Sequence, residues 1–362
     1  MSINSFFHLP LHLLIASFIL SGCVEKKQNE IREPILPVEE VISVKLESKL
    51  KFDKNITEVW GYEQNGEQYA LVGYSSGVHI VNTTDALNPV LTAKVSGIPG
   101  FDIKVWKNYM YTVIGHGNGD GAIVDLSDIT KPKRVNSFPS AHNIFISEQG
   151  YLFLEAPGLR IMDLNENPLE PKLIWQGGIS GHDATVVGNR LYDFHGSDGT
   201  NIYDISNISQ PALLGSIQTP RIRYHHSGWP TSDENYLLIC DEGALGANED
   251  ITVWDIKDPA QPKLVDSYTD STSIVHNLYI VDKIAYVSYY NSGFKIFDVS
   301  NPESIRPIDN YDTNSSSGDN FGGAFGVYPF ASSKYIYVSD SGEGLHIFSL
   351  VTQPGQSNAI FY

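Results

Sequence analysis

Cysteine is nearly absent: Cys23 and Cys240 are the only two in 362 residues. That excludes a disulfide-dense secreted scaffold and any cysteine-ligated metal cluster. Basic residues are also scarce, 24 Lys and Arg against 42 Asp and Glu, for a formal charge of −18. The basic patch that a nucleic-acid backbone requires is therefore missing, and nucleic acid is not an expected partner. No apolar run is long enough to cross a bilayer as a helix; the longest candidate, residues 9–20, has twelve residues. Neither Gly-x-Ser-x-Gly, a Walker loop nor His-Glu-x-x-His occurs, so the enzyme classes built on them have no support. What is plentiful is Tyr (20), Phe (16) and Gly (31), the composition of a strand-rich chain with many turns.

The apolar segment LPLHLLIASFIL (9–20) has the length of a signal-peptide core and runs into Leu20-Ser21-Gly22-Cys23. That tetrapeptide resembles the lipobox of bacterial lipoproteins, in which the cysteine thiol takes the lipid. The first twelve residues hold no Lys or Arg, so an ordinary secretory signal or an uncleaved apolar N-terminus is the alternative. Residues 1–22 are read as a lipoprotein signal peptide and 23–40 as a lipidated Cys23 with a polar tether. The expected location is extracytoplasmic, with the membrane reached through the lipid alone. Cys240, in the apolar run Tyr236–Cys240, then has no disulfide partner and reads as an inert buried thiol.

Residues 276–302, HNLYIVDKIAYVSYYNSGFKIFDVSNP, read as three short strands separated by turns at Asp282-Lys283 and Asn291-Ser292-Gly293. So short a meander cannot bury its own apolar faces, and copies of it should stack. A Gly-x-x-Ile-x-Asp pattern followed by proline recurs at 77–89, 121–132, 158–171, 199–211, 251–262 and 293–302, and GLHIFSL (344–350) closes the series. Anchored on Asn82, Asp125, Asp163, Asp204, Asp255, Asp298 and Ser349, the spacings are 43, 38, 41, 51, 43 and 51 residues. Periods near 40–50 without helical patterning indicate propeller blades. The anchor aspartates suit a structural task, accepting backbone N–H groups of the turn that follows. Each anchor but the last precedes one more apolar segment. Residues 41–50, VISVKLESKL, supply the missing one, so the N-terminal strand should complete the last blade. The expected fold is all-β, a seven-bladed β-propeller over 41–350, followed by a tail at 351–362. The loops Gly117–Gly121 and Gly196–Gly199 read as hairpin turns, and Ser315–Asn320 as a loop between blades.

Several stretches resemble the LVIVD-repeat proteins and, more closely, the bacterial choice-of-anchor B family. They are Gly181-His182-Asp183-Ala184, Tyr224-His225-His226-Ser227-Gly228-Trp229, Tyr236–Glu242, His276-Asn277-Leu278-Tyr279, Tyr311-Asp312-Thr313 and Phe325-Gly326-Val327-Tyr328-Pro329-Phe330. The resemblance spans about residues 42–350; it departs at His226-Ser227-Gly228, where His-Gln-Gly is the expected form. It implies an exported protein fixed at the cell surface and supplies no reaction.

About 22 residues before each anchor stand Trp60, Phe101, His142, His182, His225, His276 and Phe325. The first strand of a blade lines the channel, so equivalent positions form a ring, here with histidine in four consecutive blades. Polar residues follow, among them Asp183, His226 and Asn277, while Asp241 and Glu242 end a strand of the His225 blade. Two readings are open. In one, the imidazoles hold a divalent transition metal or another ligand on the axis, with neighbouring Asp or Asn orienting their rings. In the other, each histidine bonds the backbone of the next blade and pins the ring. The function expected is a binding or interaction module for a protein, glycan or small molecule. The alternative is a metal-dependent hydrolase with Asp183 or Glu242 as base.

Overall fold

A computed structural model of the chain describes residues 40–354 apart from 117–118, 179–180, 244–248 and 315–320. The expected signal peptide (1–22), Cys23, the expected tether up to residue 39, the stretch 315–320 read as a loop and the chain after Pro354 lie outside the described residues. The described residues form twenty-eight strands in seven four-stranded antiparallel sheets, with one short 3-10 turn at Tyr290–Ser292. The fold is a seven-bladed β-propeller.

The first complete blade is β2 (Ile56–Gln64), β3 (Glu67–Tyr74), β4 (Gly77–Asn82) and β5 (Val90–Ser96). The next five begin with β6 (Asp102–Trp106), β10 (Asn143–Ile146), β14 (Asp183–Val187), β18 (His225–Pro230) and β22 (Leu278–Val281). The seventh takes three strands from the C-terminus, starting with β26 (Ala324–Tyr328). Its fourth is β1 (Glu40–Leu50), paired antiparallel with β28 (Gly344–Pro354). The last strand thus runs four residues past the expected boundary at 350.

Alternation dictates the packing. Residues of one parity in the middle strands face the preceding blade and those of the other parity the following one, so the core lies between sheets. Leu71 and Ile80 of the first blade, for instance, pack with Ile103, Met110 and Val124 of the second. Gly73 allows one close approach of this kind: a Cβ there would sit 1.9 Å from the Gly100 carbonyl oxygen.

One irregularity repeats in every blade. The outermost strand carries one extra residue against the third strand, at Thr92, Val135, Ile174, Leu214, Val265 and Ile308 in the first six blades. In the seventh the extra residue is Glu47, between Leu46 and Ser48 of β1. A bulge increases local twist. The N-terminal strand reproduces the same bulge, so it is a fourth strand like the others.

The anchor side chains hold the turns that lead into these strands. Asp125, Asp163, Asp204, Asp255 and Asp298 each accept the N–H two residues on, at 2.7–3.0 Å, as does Asn82. Ser349 differs and donates its hydroxyl to Glu47. Cys240 is fully buried in β19 (Tyr236–Asp241), and desolvation pushes its thiol well above the ordinary range. Ellman's reagent should therefore leave a Cys23→Ser chain unlabelled until denaturant is added; rapid native labelling would contradict this burial.

Candidate functional site

The start of each blade's first strand meets the axis at one mouth of the channel, and six side chains form a closed ring there. Ring centres are 5.2 Å apart for Phe101–His142, 4.3 Å for His142–His182, 4.4 Å for His182–His226, 4.4 Å for His226–His276, 4.2 Å for His276–Phe325 and 5.7 Å for Phe325–Phe101. The first blade contributes Thr57 at the equivalent position. Two members of the expected column are corrected. His226, not His225, stands in the ring, because a bulge between His225 and Ser227 turns His225 outward to hydrogen-bond Thr200 Oγ1 at 2.8 Å. Trp60 belongs to the other end of the channel, since the first blade has its own register shift between Ile56 and Val59. A fixed count of residues cannot detect either shift.

Carbonyl contacts fix the imidazole tautomers. Nδ1 of His182 lies 3.3 Å from the His226 carbonyl, Nδ1 of His276 2.6 Å from that of Phe325, and Nδ1 of His142 3.0 Å from that of Gly115. A carbonyl only accepts, so each Nδ1 carries the proton and each neutral ring keeps its Nε2 lone pair. His226 Nδ1 faces the His276 carbonyl outside hydrogen-bonding geometry. Burial holds all four rings neutral, pushing His182 and His276 down to about 3 and lowering His142 and His226 as well. Pinning and coordination are therefore compatible, because one nitrogen serves each.

Glu242 completes a cluster. It lies just after β19, where its backbone N–H donates to the Tyr224 carbonyl. Ligand atoms of His226, His276 and Glu242 fall within 4.8 Å of one another, with His226 Nε2 at 3.7 Å from Glu242 Oε2. A tetrahedral ion held at 2.0–2.2 Å from each needs ligand spacings of about 3.3–3.6 Å, so the widest of these separations has to close by about 1 Å through side-chain rotation. The other carboxylate oxygen of Glu242 accepts the Tyr290 hydroxyl at 2.5 Å, and Tyr290 packs 4.8 Å from His276. Desolvation pushes Glu242 up to about 7. Two neutral imidazoles with a hydrogen-bonded carboxylate suit a divalent transition metal.

The remaining expected residues lie elsewhere. Asp183 belongs to a second layer one residue deeper, where its Oδ1 accepts the Ala184 N–H at 2.7 Å. Glu58, Asp102 and Asn143 do the same with the residues after them. Asn277 in that layer donates to Glu58 Oε2 at 3.3 Å, and Lys104 pairs with Asp102. Asp241 accepts the N–H groups of Arg223 and Tyr224 and is structural. His116 escaped the sequence reading although its ring lies 4.4 Å from His142, since it sits in a loop outside the counted strand. Tyr290 escaped too; its partner Glu242 is 48 residues away in another blade.

Four segments, 101–139, 183–219, 233–270 and 274–313, match the LVIVD repeat family. The chain therefore carries LVIVD repeats. No curated protein sequence matches it. Among solved structures, the WD40 β-propeller domain of Doa1 is similar at a TM-score of 0.60 and 12% identity, over 84% of this chain and 96% of that one. The periplasmic gluconolactonase PpgL of Pseudomonas aeruginosa gives 0.60 and 11%, over 78% and 91%. A functionally unknown protein of Desulfotomaculum acetoxidans gives 0.55 and 13%, over 72% and 92%. At such identities the likeness is one of fold alone.

Proposed function

We propose that this protein is an extracytoplasmic binding module, anchored through Cys23, whose ligand is held at the histidine mouth by a divalent transition metal. The observation that carries the reading is the convergence of Glu242 on His226 and His276, two neighbouring members of the closed ring of aromatic and imidazole side chains. Three protein ligands would leave a coordination position for a donor atom of a partner protein, glycan or small molecule. The lipobox and the apolar segment before it support the location. A propeller of similar fold is a periplasmic enzyme, PpgL. The hydrolase reading has less support, because Glu242 is itself among the ligand atoms and Asp183 is engaged one layer down.

Elemental analysis of the full-length chain in non-ionic detergent, after reconstitution with zinc or cobalt, tests the reading. One equivalent of metal is expected. The His226→Ala/His276→Ala variant should stay folded and bind at least tenfold more weakly, whereas His225→Ala should keep its metal. A wild-type protein that takes up no ion, with variants that are merely less stable, would reduce the ring to an inter-blade strut.

A further inference from the structure

The channel has a second end, and its chemistry is different. Three residues on from the mouth, the first strands place Trp60, Phe145, Trp229, Tyr279 and Tyr328, with Lys104 and Thr185 in the other two blades. Phe330, from the turn after β26, reaches over this layer, with its ring 5.3 Å from Tyr279 and 5.5 Å from both Trp229 and Tyr328. It stays 36% exposed. Beside it opens a cavity of about 450 Å³ walled by Trp60, Phe145, Trp229, Tyr328 and Phe330, with Glu148 and Gln149 on its lip. That volume and that mixture of aromatic wall with a few polar groups are those of a small-molecule site.

Charge narrows the ligand class. Among the described residues no Lys, Arg or His lines the cavity and Glu148 is its one charged residue, while the whole chain carries −18. An anion would meet repulsion without a partner. A cation would meet aromatic faces, whose quadrupoles attract it, and one carboxylate at the rim. The molecule already uses this chemistry internally, because Lys104 Nζ sits 4.5 Å from the centre of the Trp60 ring. We propose that the cavity binds an organic ammonium ion, a site separate from the histidine mouth and independent of any metal there.

The probe is tetramethylammonium chloride, titrated into the full-length chain in non-ionic detergent against sodium chloride at equal ionic strength. Saturation-transfer NMR reads the methyl signal. A saturable contact is expected, about fivefold weaker in Phe330→Ala and in Trp229→Leu, and about twofold weaker in Glu148→Gln. Phe330 lies on an exposed turn, so its variant remains informative if Trp229→Leu fails to fold. The His226→Ala/His276→Ala variant should bind tetramethylammonium unchanged, which separates this site from the axial one. tert-Butanol, of similar shape without the charge, should bind at least fivefold more weakly. Equal binding of tert-butanol, stronger binding of methyl glucoside, or undiminished binding by a folded Phe330→Ala chain would overturn the proposal.

Discussion

Acidification from pH 6 should unfold this protein cooperatively, with a midpoint between about pH 4.5 and 3.5. Seven histidines are held below their ordinary value of 6.5, burial being the first cause in each: His79, His142, His182, His225, His226, His276 and His346. Below pH 6.5 the unfolded chain protonates them and the folded chain does not, so each contributes a loss of about 1.4 kcal/mol per pH unit down to its folded value. Buried carboxyls act oppositely. Glu58, Glu242 and Asp250 are pushed up to about 7 by desolvation, which raises Glu155, Asp183, Asp193 and Asp241 as well. They favour the folded state below their unfolded values near 4, and that contribution fades as pH rises through about 7. Between about pH 4.5 and 6.5 the two slopes oppose each other; below about 4.5 the histidine loss is joined by that of carboxylates held below their ordinary range by hydrogen bonds and ion pairs, Asp125 and Asp255 among them. Stability should stay near its maximum between about pH 4.5 and 6.5, decline toward pH 8 and collapse in acid. Circular dichroism melts across pH 3.5–8 measure it, and a melting temperature flat to within about 2 °C over that range would contradict the burial of neutral imidazoles.

Removing residues 1–50 should abolish the monomeric fold. β1 makes ten register pairs with β28, from Glu40↔Pro354 to Leu50↔Leu345. Ile42, Val44 and Leu46 pack on the cluster around Phe294 and Phe348. β1 also joins the blades on either side. The Val44 N–H donates to Asp309 of the sixth blade at 2.8 Å, and the Ser48 hydroxyl to the Ala86 carbonyl of the first at 2.5 Å. Three half-buried aliphatic side chains and a full ladder together stabilise by at least about 5 kcal/mol, and their loss exposes an unpaired edge on β28. Size-exclusion chromatography should show aggregate, or dimers joined through that edge. Moving residues 40–50 to a position after Pro354, with a linker long enough to turn back, should restore the monomer. A truncated monomer melting within about 3 °C of the intact chain would show that the ring closes without this strand.

The architecture was readable because each blade repeats its solution in sequence. The anchor aspartate, the following proline and the apolar outer segment recur at a spacing set by the blade, and the one unit lacking its last segment pointed to residues 41–50. The site was less readable. His142, His182 and His276 stand where a uniform count puts them. His226 does not, because an extra residue between backbone pairs leaves no mark in composition and reverses which of two adjacent histidines faces the axis. Glu242 was noticed as a strand-end carboxylate, but its alignment depends on Tyr290, and no local pattern connects two residues in different blades. The aromatic cavity is illegible for a related reason: the residue count puts Trp60 in the histidine column, and no local pattern connects it with Trp229 and Tyr328 in other blades.

The pairing of β1 with β28 also sets an order of events. β1 is synthesised first and its partner last, with some 300 residues between them, so no nascent intermediate can finish the seventh blade. The six other blades can each form from neighbouring sequence as the chain lengthens, a low-contact-order process, while closing the circle is the longest-range step. Until it happens, the earliest-made strand has nothing to pair with and the aromatic and histidine ends of the channel stay incomplete. Completion of both mouths is thereby tied to arrival of the final strand, and a chain stopped short of β28 would lack the seventh blade that closes them.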